Sequence, residues 1–380
     1  MMYILGDNII SSLGFSTAEN YEAVCFGRSG LRYYSDKFDL PEPFYSSLID
    51  EDKLNDAFTA LSSVSVEKYT RLEKMAILSA FSAISAAGID AAAEDVLFIF
   101  STTKGNIDLL DNLNNPFEKA RVYLWRSAQL IAEYFGNKNE PIVVSNACIS
   151  GCAAQITAMN QINHHGYKYV VVVGAEVLSK FIVSGFQSFK ALSPSLCMPF
   201  DKNRCGLNLG EAAATIVYVA DNGCDLPEHA VSLKAGAMHN DSNHISAPSR
   251  TGEGLYRCIM QLRYEDIAFI SAHGTATSYN DDMESVAINR AGLQDVPVTS
   301  LKGYFGHTLG AAGVLESIMS CHALQNNIVL KTAGTEIPGT INPVNVCLAN
   351  AEISKHSFIK MMSGFGGCNA ALLFTENNKI

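Results

Sequence analysis

The chain has 380 residues, 48% hydrophobic and 17% charged, which supplies a large buried core and material for roughly two or three units of ordinary domain size. A formal charge of −11 argues against a general binder of nucleic acid or anionic membrane, and no apolar run approaches the roughly 18 residues of a membrane span. The opening residues MMYILGDNIISSLGF carry no basic region and are broken early by Asp7, so no secretory leader is expected and a cytoplasmic protein with reduced cysteines is.

Met2 to Ile10 reads as an apolar strand, and Ser16 with Glu19 forms a capping-box start for a helix to about Cys25. From Arg28 to Val66 the pattern is irregular and reads as an excursion over the core. Glu67 to Ala87 is helical, with Met75, Ile77, Leu78, Phe81 and Ile84 on an apolar stripe and Gly88 as the stop. A strand follows at Val96 to Ser101, then a polar, glycine-punctuated segment from Thr102 to Asn115 and an amphipathic helix from about Pro116 to Tyr134. The stretch PIVVSNACISGCAAQITAMNQI, Pro141 to Ile162, is a strand, a tight turn of small residues, Cys148, and a helix that stops at Gly166. Tyr169 to Val177 is continuously apolar, as in a parallel strand buried on both faces. Ala212 to Ala220 supplies another strand, and DNGCDLPEH, residues 221–229, is the best boundary.

The second half repeats the alternation. Strands are expected at Val231–Ala237, Ile267–Ser271, Val296–Ser300, Phe358–Ser363 and Ala370–Phe374, with helices at Glu253–Leu262, Asp281–Arg290 and Leu309–Gln325. Such alternation argues for α/β layers with helices on both faces of the sheets.

Cys148 falls beside the first turn of a helix, where free N–H groups and the macrodipole favour thiolate, so it is a candidate nucleophile; Cys152 reads as a packing residue. The ten cysteines contain no paired CxxC knuckles, and no metal site is expected. His239 and His244, in HNDSNH, read as solvated loop residues, and His164, His165, His229, His322 and His356 are assigned no role. Three more strand ends pass into polar or glycine-rich turns: ISAHGTATSYNDDMES around His273, TSLKGYFGHTLGAAG around His307, and KMMSGFGGCN around Phe365. In an open α/β sheet such turns can converge on one crevice beyond the carboxyl ends of the strands.

Taken together, NACISG, PFDKNRCGLNLGEAA, AHGTAT, LKGYFGHTLGAAGVLE, GTINP and GFGGCN, with the opening ILGDNIISSLG, resemble in order the motifs of the β-ketoacyl-acyl-carrier-protein synthases, members of the thiolase-like superfamily. The resemblance covers nearly the whole chain. It implies a layered αβαβα fold of two similar halves, with residues 1–222 carrying the nucleophilic cysteine and 223–380 both catalytic histidines. It further implies Cys148 as acyl acceptor, His273 and His307 as its partners, and Lys302 with Glu316 as a supporting charged pair. Thr275 and Thr277 would hold a phosphopantetheine arm, and Phe365 would gate the acyl pocket and lend its N–H, beside that of Cys148, to an oxyanion hole.

The activity so implied is decarboxylating condensation of a Cys148-bound acyl chain with malonyl-acyl carrier protein, in fatty-acid, polyene or polyketide synthesis. Alternatives are a non-catalytic chain-length partner subunit of the same fold and a thiolase acting on coenzyme A thioesters, for which Cys368 would be the second cysteine. No cofactor would be held by the chain itself, since phosphopantetheine arrives on acyl carrier protein. Acyl and malonyl thioesters are the implied ligands and a homodimer the implied assembly, with sheets joined across the two-fold. Lys68, Arg71 and Lys74, three apart at a helix start, offer either a dock for the acidic carrier protein or a solvated helix end. The sequence departs from the family pattern at Cys205, Leu207 and Cys368.

Overall fold

The computed structural model describes every residue except 62–64, 113, 222–225, 227–228 and 378–380. The first half comprises β1 (Met2–Ile10), α1 (Thr17–Cys25), β2 (Arg32–Tyr34), β3 (Phe44–Ser47), α2 (Glu51–Leu61), α3 (Arg71–Ala87), β4 (Val96–Ser101), α4 (Leu124–Tyr134), β5 (Ile142–Val144), α5 (Ser150–His165), β6 (Tyr169–Glu176), α6 (Lys180–Ser188), β7 (Leu209–Gly210) and β8 (Ala212–Ala220). The second comprises β9 (Val231–Asn240), α7 (Glu253–Gln261), β10 (Ile267–Ser271), α8 (Ser278–Arg290), β11 (Val298–Thr299), α9 (Lys302–Phe305), α10 (Ala312–Gln325), β12 (Ile328–Val329), β13 (Ala351–Glu352), β14 (Ser357–Gly364) and β15 (Cys368–Glu376).

Ten strands form one sheet in the order β11-β10-β14-β15-β9-β1-β8-β6-β4-β5. Read outward from its middle, the two halves repeat one another. β1-β8-β6-β4-β5 and β9-β15-β14-β10-β11 each begin with two antiparallel pairings and end with two parallel ones. The halves meet through two residue pairs, Met2 with Leu233 and Tyr3 with Ser232.

Layering follows from the pleat, which sends alternate side chains to opposite faces. In β6, Val170 and Val172 enter a central core while Val171, Val173 and Ala175 enter an outer one. In β15, Ala370, Leu372 and Phe374 face the same central core, and Ala371 and Leu373 face an outer core under α7 and α8. The central core also holds α5 and α10, one from each half. These helices touch backbone to backbone, for a Cβ on Gly151 would lie 2.8 Å from Val314 N and one on Gly313 2.5 Å from Cys152 N. The result is the five-layered α/β arrangement of two similar halves that the resemblance implied. Among the described residues no helix is long and apolar enough to cross a membrane.

Several local expectations need correction. The stretch 28–66 contains β2, β3 and α2; Asp50 Oδ1 accepts the Lys53 N–H at the start of α2, and Leu54 and Phe58 are fully buried. Helix α3 begins at Arg71 and not at Glu67, because Thr70 and Glu73 form a reciprocal capping box. Phe81, placed on its apolar stripe, is 41% exposed. The helix expected from Pro116 starts at Leu124, preceded by a 3-10 turn at Lys119–Val122, and the strand expected over Val296–Ser300 shrinks to Val298–Thr299. Most of the boundary segment 221–229 lies outside the described residues.

The carrier dock is also overturned. Arg71 pairs with Glu51 and, at 2.7 Å, with Glu211, while the Lys74 ammonium is buried against Asn55 and Glu51. Two of the three charges therefore neutralise local carboxylates and leave only Lys68 on the surface.

His322 on α10, assigned no role from the sequence, pairs with Asp7 of β1 at 3.0 Å and ties the two elements together. Burial opposes its charge, yet the hydrogen bond and charge of Asp7 prevail and hold the imidazole above its ordinary value. Because the folded pKa is the higher one, the stabilisation is complete below the unfolded value and fades as pH rises through the folded value. His322→Gln should therefore lower stability more at pH 5.5 than at pH 8.5, by at most about 1 kcal/mol for a partly exposed pair, as read by urea denaturation at the two pH values.

Candidate active site

The turn before α5 positions the sulfur. Ala147, a non-glycine residue, sits at φ 44°, in the left-handed region that costs strain and recurs at functional turns. Ser150 Oγ closes that turn by accepting the Asn146 N–H at 2.8 Å and donating to Ala147 O at 2.6 Å. Cys148 is thereby presented to a pocket of about 350 Å³ whose lining includes His273, His307, Thr275, Thr277 and Phe365. The Thr275 and Thr277 hydroxyls are 2.9 Å apart at this wall.

His273 arrives at the end of β10. Its backbone N–H and that of Gly274 each donate at 2.7 Å to the two oxygens of Glu284, and Thr275 N donates to Asp281 at 3.0 Å. Burial pushes Glu284 up to about 7 and Asp281 up to about 6. Gly274, at φ 47°, lets this turn lie against Ser300, whose Oγ donates to Gly274 O at 2.8 Å.

His307 is held from both sides along the backbone, with its N–H on Asn208 O at 2.7 Å and its carbonyl accepting from Gly210 N at 3.1 Å. Leu309 N donates to His307 Nδ1 at 3.2 Å. A backbone N–H can only donate, so Nδ1 is the acceptor and the ring proton resides on Nε2. That Nε2 is buried with no hydrogen-bond partner among the described residues, as is His273 Nδ1.

Cys148, His273 and His307 each offer a ring nitrogen or sulfur within 4.8 Å of the others, and the two rings meet edge to face with centroids 5.0 Å apart. All three are buried. Burial, reinforced by the charge of Lys302, drives both histidines well below their ordinary value, so they are neutral donors at physiological pH. For the sulfur, burial dominates and raises the thiol; the Phe365 N–H, Lys302 and Lys104 oppose it and Glu176 adds to it. The lowering expected from the helix start is outweighed by burial, and α5 begins two residues later, at Ser150.

Lys302 and Glu316 form a fully buried ion pair. Phe365 stacks on Phe186 with centroids 5.8 Å apart and meets Phe189 edge-on at 5.5 Å, which anchors the GFGG turn to α6. Cys205 and Leu207 also line the pocket. Cys368 donates to Phe365 O at 3.3 Å, and burial pushes its thiol up to about 12. His239 lies in β9 opposite Asn369 and not on a loop, while His244 is exposed.

Two charged residues at the site escaped the sequence reading. Glu176, fully buried at the end of β6, accepts the N–H groups of Thr103 and Gly310 at 2.8 and 2.9 Å and so fixes the turn after His307. Lys360, inside β14, reaches Glu316. The available signal was a charge at the end of, or inside, an otherwise apolar strand: YVVVVGAE and SFIKMM.

Models of the beta-ketoacyl synthase N-terminal and C-terminal domains match residues 4–219 and 229–336. A protein of Schizosaccharomyces pombe named as a mitochondrial 3-oxoacyl-[acyl-carrier-protein] synthase is 28% identical over 98% of each chain. The tetracenomycin polyketide synthase ketoacyl synthase alpha subunit of Streptomyces glaucescens is also 28% identical, over 98% of this chain and 96% of its own. Among solved structures, the complex of the ketosynthase ApeO with its chain length factor ApeC from Xenorhabdus doucetiae superposes with a TM-score of 0.87 at 22% identity, over 99% of this chain and 98% of the other.

Proposed function

Because the chain belongs to the beta-ketoacyl synthase family, we propose that it catalyses decarboxylating condensation, loading an acyl group on Cys148 and extending it with a malonyl unit carried on acyl carrier protein. The observation that carries this reading is the buried group of one thiol and two neutral imidazoles, with the His307 Nε2–H free of any acceptor among the described residues.

In the first step the Cys148 sulfur attacks the acyl thioester, its carbon–sulfur bond forms, and the carrier's sulfur leaves with the proton that Cys148 gives up. With the thiol pKa raised, this proton departs as the bond forms, and His273 would be its acceptor, since the His307 Nδ1 is taken by Leu309 N and its Nε2 carries the ring proton. The oxyanion of that step would take the N–H of Cys148 and the N–H of Phe365, which in the resting enzyme is spent on the sulfur. In the second step the malonyl thioester loses CO₂, and the electron pair of the broken bond moves into an enolate. His273 and His307 would donate N–H bonds to that enolate oxygen. The carbanion carbon then attacks the acyl-cysteine carbonyl, the carbon–sulfur bond breaks, and a β-ketoacyl chain two carbons longer leaves on the carrier. Thr275 and Thr277 would hold the phosphopantetheine arm of the carrier in the pocket wall, and Phe365 would gate the acyl channel.

The test is intact-mass analysis after incubation with a panel of acyl-carrier thioesters, followed by addition of malonyl-carrier protein. The wild-type chain should gain one acyl mass and convert it to a product two carbons longer; Cys148→Ala should gain none. Acylation that survives in Cys148→Ala, or no condensation by intact protein, would contradict the reading, and the latter would favour a chain-length partner. For a thiolase the second thiol would be Cys368, but its raised pKa and its bond to Phe365 O suit packing and not proton transfer. Rapid acyl transfer to free coenzyme A without malonyl substrate would reverse that judgement.

A further inference from the structure

Strand β14 carries one charge in an apolar run. Lys360 lies among Phe358, Ile359, Met361 and Met362, all 0% exposed, and is 0% exposed itself. An ammonium in such a place needs a partner for each proton. It has three: Nζ donates to Ser271 O at 3.2 Å, to Ala272 O at 3.1 Å and to Glu316 Oε2 at 2.5 Å. Ser271 and Ala272 are the last two residues before His273, and Ser271 is also the cross-strand neighbour of Lys360 in the β10–β14 pairing. The other oxygen of Glu316 takes Lys302. One carboxylate therefore joins two buried lysines, and one of them grips the carbonyls of the strand end that delivers a catalytic imidazole.

We propose that Lys360 is a positioning residue for the decarboxylation half-reaction, tying the end of β10 that carries His273 to the Lys302–Glu316 pair and placing a second buried positive charge behind the imidazoles. The inference rests on the condensing reading given above. Its electrostatic side points the same way: after burial and Lys302, and for His273 also after His307, the charge of Lys360 acts on both imidazoles and favours their neutral form. Geometry separates the half-reactions at this side chain: Lys360 holds the two carbonyls that precede His273, whereas the turn that presents Cys148 is closed by Ser150. A residue that merely filled the core would slow both together.

The experiment measures the two half-reactions apart in the full chain. Lys360→Met keeps length and removes charge and hydrogen bonds; Lys360→Gln removes the charge and keeps two donors. For both, acylation of Cys148, followed by intact mass, should stay within about threefold of wild type. The kcat for CO₂ release from malonyl-carrier protein should fall about 30-fold or more with KM within about threefold, since small misplacement of a catalytic group costs on that scale. Lys360→Ala should recover part of that kcat on addition of ethylammonium, which tests the role of the missing ammonium even if the methionine variant folds poorly. An equal loss in both half-reactions, or a decarboxylation kcat within threefold of wild type in every variant, would overturn the proposal. Absence of decarboxylation in the wild type would instead sink the condensing reading, so the two failures are distinguishable.

Discussion

His307→Ala should still accept an acyl group on Cys148 but release CO₂ from malonyl-carrier protein about 10²–10³ times more slowly than the parent chain. The factor is the usual consequence of losing one fixed donor to a developing oxyanion. Everything around the ring serves that donor. Asn208 and Gly210 hold its backbone, Leu309 N occupies Nδ1, and Glu176 fixes the next turn through Gly310 N. None of these contacts involves the sulfur of Cys148, whose own turn is closed by Ser150. A time course of intact mass and a CO₂-release assay on the same preparation decide the matter, and equal losses in both would contradict the division of labour.

Removing the shared carboxylate should have the largest effect on stability. Glu316→Ala leaves two fully buried ammoniums, Lys302 and Lys360, without their common partner. Breaking a buried pair from one side typically costs about 3–5 kcal/mol, because the remaining charge keeps its desolvation penalty and loses its compensation. Denaturant titration should show a lower midpoint at unchanged slope. The triple variant Lys302→Met, Glu316→Leu, Lys360→Met should be less destabilised than Glu316→Ala alone, since no charge is left stranded. Strict additivity of the three changes would argue that the groups do not act as a unit.

Legibility in the sequence follows the range of the interactions. Strands with both faces buried, such as β6 and β8, are near-continuous apolar runs and were readable directly. Helix α2 was missed because EDKLNDAFTAL spends only Leu54 and Phe58 on the core, too few for a periodic signal, although Asp50 marked its start. The dock at Arg71 and Lys74 failed for a different reason. Their partners Glu51, Asn55 and Glu211 come from other segments, and spacing along one helix says nothing of them. The thiol, the two imidazoles and the Lys302–Glu316 pair were named from motifs; the fold brings the first three within 4.8 Å of one another and joins the other two as a buried ion pair. Lys360 and Glu176 showed in the sequence only as a charge in or at the end of an apolar strand; their partners, Ser271 O and Ala272 O for the one and the N–H groups of Thr103 and Gly310 for the other, lie in distant segments that spacing does not connect.

The contact of Gly151 with Gly313 carries a consequence of its own. Cys148 stands just ahead of one of these helices and His307 just ahead of the other, so the sulfur and the imidazole keep their spacing only while the two axes run at bare-backbone separation. A single methyl at either glycine would act as a shim between them. On the proposed condensing reading, the gap a thioester carbonyl would have to bridge is gauged by the absence of two side chains outside the pocket.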